Sequence, residues 1–347
     1  MRVTLKDIAQ RAGVSIKTAS NVVNDRSAHY SQETFDRVMQ AATELGYVPN
    51  LAARHLRMGK TGLLALVIPD IVNPYFSDLA RHVILEAEAL GYTVIIDITM
   101  DDPHKEQRVI HGDRSLAVDG IILDPRSMAA EIAAGNGQIP IVLIGEAVWD
   151  APYDHVAIDN VAAAHAATRH LAELGRTRIA PIGYGMSPRG GFAVLRQQGY
   201  ATAMQEAGLA IDPAYLVVPP RAMHDWQRGY DVMRLLLALP SPPDAVFCFL
   251  DALAFGAMRA ILDAGLRIPE DIAIVGIDNV PESSYANPPL STIAPAKQEL
   301  ARLAVTLLVD RATGRRTQAA EIFYPAFTLL ARTSTIGVAY EEGAGSG

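Results

Sequence analysis

Between residues 4 and 47 the apolar positions recur at three- and four-residue spacing in three short runs: Leu5, Ile8 and Ala9; then Ala19, Val22 and Val23; then Phe35, Val38, Ala42 and Leu45. That period is helical. Thr4-Leu5-Lys6-Asp7 has the form of a capping box, so the first helix is predicted from Leu5 to about Ala12. Gly13 permits a tight turn, Ser15 can cap a second helix with Val14 ahead of it, and Ser31 caps a third that ends at Gly46. Two helices joined by a glycine-containing turn of about four residues make a helix-turn-helix unit. After Gly62 the pattern changes. "GLLALVIP", "YTVIID", "VDGIILD", "IPIVLIG", "RIAPIG", "DAVFCFL" and "DIAIVGID" read as buried strands, with helical stretches such as "YFSDLARHVILEAEALG" and "ALAFGAMRAILDAG" between several of them. Strands and helices alternating at this spacing imply parallel sheets covered by helices. The series is too long for one sheet, so two similar lobes are expected. The predicted fold class is a small all-α helix-turn-helix headpiece plus an α/β core of two parallel-sheet lobes.

The second helix of the headpiece carries the first chemical signal. In "GVSIKTASNVVN" its outward face shows Ile16, Lys17, Thr18, Ser20 and Asn21, where an ordinary surface helix would show Glu and Lys. In a helix-turn-helix unit that face lies in the major groove of DNA. Lys17 can reach guanine O6 and N7, Asn21 can address adenine, and Ile16 can touch a thymine methyl. Thr4, Ser15, Thr18, Ser20 and Asn24 would mostly bond phosphates, which sets register without reading sequence. Charge points the same way. Residues 1–60 hold nine Lys/Arg against five Asp/Glu, a net of +4, so the remainder carries −12 of the total −8. A basic head on an acidic body suits a polyanion-binding module joined to something that must not bind polyanions.

The other bulk properties exclude more than they select. The 347 residues are half hydrophobic and one-fifth charged, enough for two or three domains with sizeable cores. No apolar run is long enough for a membrane span, and "MRVTLKDIAQ" has no apolar signal-like stretch. The single cysteine, Cys248, rules out an internal disulfide and fits a reducing cytoplasm. Around Lys60, "MGKTG" is not a phosphate loop, because Arg54 stands where a glycine is required. "GYGMSPRGG" lacks the dinucleotide order, the nine histidines show no metal-ligand spacing, and no G-x-S-x-G is present. The sequence therefore nominates no catalytic residue, no metal site and no cofactor.

"TLKDIAQRAGVSIKTASNVVN" followed by "SQETFDRVMQAATELGYVPNLAARHL" resembles the headpiece of the LacI/GalR family of bacterial repressors, nearly continuously over residues 4–56. The resemblance assigns base choice mainly to Ile16, Lys17 and Asn21, and adds Ser31 to the DNA-facing set. It makes Pro49 to Lys60 a hinge in which Asn50 caps a short helix, Ala53 faces the minor-groove floor beside Arg54, and Leu56 wedges between base steps. The stretches "IPDIVNPYFSDLARHVILEAEALGYTVII", "LRQQGY", "FGAMRAILDAGLRIPEDIAIVGIDN" and "PPLSTI…YPAFTLLARTST" resemble the family's core, itself similar to the periplasmic sugar-binding fold. By that resemblance Tyr75, Phe76, Arg196, His224, Asp251 and Asp278 face a ligand between the lobes. Leu250 stands where the family usually has Asn, and Gly145-Glu146 where it often has Asp, so no particular sugar is implied.

The resulting expectation is a cytoplasmic transcriptional repressor, nucleoid-associated when bound to operator, that grips double-stranded DNA as a homodimer. A small sugar-like effector would control it, with dimer or tetramer left open and no membrane partner. The expected domains are a headpiece over 1–48, a hinge over 49–60 and a core over 61–335. Within the core, one lobe is expected at about 61–159 and 292–320 and the other at about 160–291 and 321–335. A loose tail covers 336–347. Two alternatives share this pattern: a solute-binding protein on the same core, and a regulator whose co-effector is a protein.

Overall fold

The computed structural model describes residues 3–24, 30–47, 60–111, 117–126, 139–145, 151–186, 191–218 and 225–337. The chain divides into two compact units, residues 1–62 and residues 63–347.

In the first unit, α1 (Leu5–Ala12), α2 (Ile16–Asn24) and α3 (Gln32–Glu44) start where their caps place them. The Asp7 amide donates to the Thr4 hydroxyl at 3.4 Å, and the Thr4 amide to the Asp7 carboxylate at 2.8 Å. These satisfy donors that a helix start leaves without partners. The Thr4 hydrogen bonds also hold the Asp7 carboxyl below its usual pKa. Gly13, at φ 67°, takes the left-handed conformation that ends α1. The Thr18 amide donates to Ser15 Oγ at 3.0 Å and the Thr34 amide to Ser31 Oγ at 3.3 Å. Ile8, Ala19, Val22 and Val38 form the sealed centre, with Leu5, Val14, Val23, Phe35 and Leu45 packed around it.

The second unit holds two sheets. The first has six parallel strands: β1 (Leu63–Ile68), β2 (Thr93–Ile98), β3 (Gly120–Leu123), β4 (Ile141–Gly145), β5 (Asp154–Ala157) and β10 (Ile322–Phe323), in the order β10-β5-β4-β3-β1-β2. The second runs β11-β9-β8-β7-β6, built from β6 (Ile179–Ile182), β7 (Ala245–Cys248), β8 (Ala273–Ile277), β9 (Ser291–Pro295) and β11 (Phe327–Leu330). β11 is antiparallel to β9, and the other pairs are parallel. Strands buried on both faces explain why their sequences are continuous apolar runs instead of alternating ones.

On the first sheet, α4 (Pro74–Ala89) packs on β1 and β2, and α5 (Pro103–His111) follows β2. The second sheet is covered by α6 (Asn160–Glu173), α7 (Phe192–Glu206), α8 (Asp225–Leu237) and α9 (Asp251–Asp263). α8 and α9 approach so closely that a Cβ on Gly256 would stand 1.9 Å from the Trp226 carbonyl oxygen. α10 (Lys297–Ala312) returns to the first sheet and packs on β3, β4 and β5; α11 (Thr333–Ile336) closes the second.

The chain passes between the lobes three times, and two passages fall later than the sequence placed them. The first lies between β5 and α6, at residues 158–159. The second was expected near Leu290–Thr292, but β9 stays in the second sheet through Pro295, because β11 pairs with it from Thr292 to Pro295. The third was expected at Glu321, but β10 still pairs with His155 and Val156, so the crossing occupies residues 324–326. Among the described residues no helix is long and apolar enough to cross a membrane. The predicted tail beyond Gly337 lies outside the described residues.

His155 sits in the middle of β5, on the same sheet face as Leu143, and is 1% exposed. Burial depresses its imidazole from 6.5 to about 4. A histidine whose folded pKa lies below its unfolded one stabilises the fold above the unfolded value and loses that contribution as pH falls through the window from 6.5 to about 4. The expected loss is roughly 3 kcal/mol, from 1.36 kcal/mol per pKa unit. His155→Leu should flatten the urea-midpoint curve over that window, and an unchanged curve would show that His155 does not set it.

Candidate nucleic-acid interface and ligand cleft

In the headpiece, α2 turns Ala19 and Val22 inward and leaves Ile16 53% exposed with Lys17 beside it. An aliphatic group held in water at the start of a helix contributes nothing to this unit's own core. It is available to a partner surface. Ser15 Oγ and Thr18 Oγ1 lie 2.8 Å apart within the cap, so this end of α2 presents hydroxyls and backbone donors, suited to an anion. The Asn21 amide donates to the Tyr30 hydroxyl at 2.9 Å, which fixes its orientation. Thr4 and Ser31 are exposed caps of α1 and α3, and Ser20 is half-buried on α2. Asn24 closes α2; its side chain, and Asn50, Ala53, Arg54 and Leu56, lie outside the described residues.

In the core, β1 delivers the chain to α4 at the carboxyl edge of the first sheet. Asn73 caps α4 by accepting from the Tyr75 amide at 3.0 Å, and Pro74 pre-sets its first turn. The two aromatic residues that follow are both nearly sealed and meet edge to face, with centroids 5.2 Å apart. They do not share a role. Phe76 lines a cavity of about 230 Å³ together with Asp70, Asp101 and Arg126 from the first lobe and Asp225, Trp226 and Arg228 from the second. Tyr75 is absent from that lining and packs in the core.

The cavity is both aromatic and charged. The Arg126 guanidinium carbon stands 5.4 Å from the Phe76 centroid and 5.6 Å from that of Phe192, so it reaches from one lobe to the other. Its Nε is 3.7 Å from Asp101. Asp225 opens α8 and pairs with Arg228 at 3.1 Å; burial raises the Asp225 carboxyl, and Arg228 partly offsets it. Trp226, half-exposed, gives the cavity a flat apolar wall.

Beneath this lining sit the other expected ligand groups. Arg196 is fully buried. Its Nε donates to Asn160 Oδ1 at 2.7 Å, another donor goes to the Phe249 carbonyl, and its guanidinium carbon lies 5.1 Å from the Phe192 centroid. Asp251 departs from the expectation that it faces ligand. Both its oxygens are engaged, one by Thr292 Oγ1 at 2.7 Å and the other by the Val280 amide at 3.1 Å. Burial pushes its carboxyl up to about 7 against those bonds. It works as a post joining α9, β9 and the turn after β8. Asp278 ends β8, is 1% exposed and holds φ at 125°, a conformation that costs energy in any residue but glycine. His224 lies outside the described residues.

Sequence reasoning missed several groups here. Asp124 follows β3 and is buried, and a Cβ on Gly145 would come 2.7 Å from its carboxylate. A carboxylate thus stands beside the end of β4 although "VLIG" carries none, and Gly145 at φ 114° makes room for it. Its signal was position: an Asp directly after a buried strand at the carboxyl edge of a parallel sheet. Asp101, Arg126, Asp225, Trp226 and Arg228 gave no comparable signal. Among the described residues no group of three His, Cys, Asp or Glu is arranged to hold a metal.

A helix-turn-helix unit and a two-lobed parallel-sheet core with a cavity at its strand ends define a ligand-regulated DNA-binding protein. Residues 4–50 match the family of bacterial regulatory proteins named for lacI, and residues 168–335 match a periplasmic binding protein-like domain. The HTH-type transcriptional repressor CytR of Escherichia coli K12 is 34% identical over 315 residues, covering 90% of each chain. A solved structure of the lac repressor bound to ONPG superposes with a TM-score of 0.80 at 26% identity, covering 96% of this chain and all of that one. A complex of the transcriptional regulator CelR with cellobiose gives 0.69 at 29% identity, with the same coverage. This chain belongs to the LacI family of transcriptional regulators.

The buried bonds of Arg196 generate a stability prediction. Arg196→Leu leaves the Asn160 amide oxygen and the Phe249 carbonyl without their donor, at about 1–3 kcal/mol for each buried acceptor. Urea unfolding should show a loss of roughly 3 kcal/mol; a loss below about 0.5 kcal/mol would mean those bonds stabilise nothing.

Proposed function

We propose that this protein represses transcription by binding operator DNA as a homodimer, and that a small molecule in the inter-lobe cavity alters that binding. The observation that carries the DNA half is the exposed Ile16–Lys17 face of a capped α2. Lys17 and Ile16 read base edges; Asn21, steadied by Tyr30, addresses a neighbouring base. Thr4, Ser15, Thr18, Ser20, Asn24 and Ser31 contact phosphates. Asn50, Ala53, Arg54 and Leu56 form the minor-groove element.

For the ligand half, Trp226 offers a flat face to a ring and Phe76 backs Arg126, while Asp101, Arg126, Asp225 and Arg228 offer hydrogen bonds to hydroxyls. That combination suits a sugar or nucleoside, with Asp278, Arg196 and Tyr75 buried behind the lining and His224 a proposed further contact. The two lobes close around such a ligand, and the coupling needed between sites is about 1–3 kcal/mol. Dimerisation has a surface ready. Tyr285 is 89% exposed beside Phe255, Pro281, Glu282 and Ala286, a largely apolar patch with one carboxylate that a second copy would cover. The protein works in the cytoplasm as a regulator, with no turnover of its ligand. A solute-binding protein would share the core but has no use for the headpiece.

Duplexes selected from a random-sequence pool provide the test. Binding should fall steeply and linearly with salt on logarithmic axes. Lys17→Ala should cost about 1–3 kcal/mol on the selected site and relax preference at one base position. If the protein ignores duplex DNA at low salt, the repressor reading fails. Thermal shifts with sugars, sugar acids, sugar phosphates and nucleosides identify the ligand class. With the responding compound, Trp226→Ala should weaken affinity about tenfold, equivalent to 1.4 kcal/mol; unchanged affinity would move the site away from Trp226.

A further inference from the structure

Away from the cavity, one charged side chain ties the two lobes together. Lys297 begins α10, directly after the second passage between the lobes, and its side chain is only 7% exposed. Its ammonium pairs with Asp78 of α4, whose side chain is 18% exposed, and donates to the Asn279 carbonyl at 3.0 Å. Asp78 belongs to the first lobe and Asn279 to the second, so a single cation is held by both.

One end of this contact leads to the cavity and the other to a constrained turn. Asp78 stands two residues beyond Phe76 on the same helix. Asn279 follows Asp278, and both hold positive φ, at 47° and 125°. That turn is fixed on its far side: Arg332 donates to Asn279 Oδ1 at 2.8 Å, and the Asn279 amide donates to Thr292 Oγ1 at 3.2 Å. A turn so constrained transmits displacement instead of absorbing it. The low exposure of the pair also makes its loss more consequential than that of a surface ion pair.

We propose that Lys297 is the positioning residue that pins the angle between the lobes, through Asp78 on one side and the Asp278–Asn279 turn on the other. Lys297 is absent from the lining of the cavity that holds Trp226; with Asp78 and Asn279 it lines a separate open cleft of about 640 Å³, and it acts on the first cavity through α4, which carries Phe76. The inference draws on the proposed regulatory reading only for its consequence: any ligand that changes the lobe angle works against or with this pin.

The full chain allows a direct test without DNA or ligand. Cys248 is buried, so nitroxide labels can be introduced at Leu90→Cys and Val218→Cys, both exposed, in opposite lobes and outside the cavity lining. Labelled protein is diluted with unlabelled chain so that distances between copies vanish from the pulsed dipolar signal. The parent should give a single distance population. Lys297→Met and Asp78→Asn should each shift part of it to longer distance, and Glu299→Gln, which weakens a surface pair with Arg302, should not. Folded Lys297→Met and Asp78→Asn proteins that keep the parent distribution would overturn the proposal. If Lys297→Met does not fold, the near-isosteric Asp78→Asn decides, and unfolding of both also overturns it, because the pair would then support the fold and not the angle. Failure of the parent to bind selected duplexes would instead strike the repressor reading and leave these distances untouched.

Discussion

A charge withdrawn from water must be met by protein donors or acceptors, and the core is organised around a few such charges. Asp154, with a side chain shielded completely, accepts from Arg311 and Arg316 at 2.8–2.9 Å and from the Glu321 amide at 3.0 Å. Burial alone would raise its carboxyl, but the Arg316 and Arg311 hydrogen bonds outweigh it and hold it low. The geometric result is that the end of α10 and the approach to β10 are fastened to β5. Asp251 does the same for α9, β9 and the turn after β8, with neutral donors, and so remains high. Arg196 fastens α7 to the start of α6 and to the strand end at Phe249. Each of these charges sits where the chain must be held across elements distant in sequence.

This distribution explains what could be read from the chain alone. The headpiece is local: Thr4 with Asp7, Ser15 with Thr18 and Ser31 with Thr34 are each three residues apart, so capping chemistry and helical period define the helices without tertiary information. The two-lobed core followed from its buried strands, whose apolar runs are long enough to recognise singly. The passages were legible only to within a few residues, because pairing of β11 with β9 decides where β9 ends, and that partner lies more than thirty residues away. The cleft was partly legible. Family resemblance marked Phe76, Asp251 and Asp278, but could not separate an acid facing the cavity from one turned into the protein. Arg126 and Trp226 enter the cavity from loop and helix ends whose placement no spacing rule encodes.

The contrast between the buried charges and the cavity charges bears on how ligand exchange is possible at all. Arg196 and Asp251 are fully buried and bonded on more than one side, so a ligand competing for them would have to break several bonds in a low-dielectric setting. The cavity pairs are looser. Asp101 is 74% exposed and stands 3.7 Å from Arg126, while Arg228 and Asp225 meet at 3.1 Å with about a quarter of each side chain in water. A pair as exposed as Asp101 with Arg126 contributes on the order of 1 kcal/mol or less, so replacing it with a hydroxyl contact costs little. The sealed layer therefore supplies rigidity and the wetter layer supplies exchange. In the proposed mode, a ligand seated against Trp226 meets charged groups of both lobes that can change partners, above a layer bonded across several elements. Three short connections, at residues 158–159, 296 and 324–326, join the lobes. A small difference in contact at the cavity then appears as a difference in angle, which is the form in which a two-lobed core can report that its cavity is occupied.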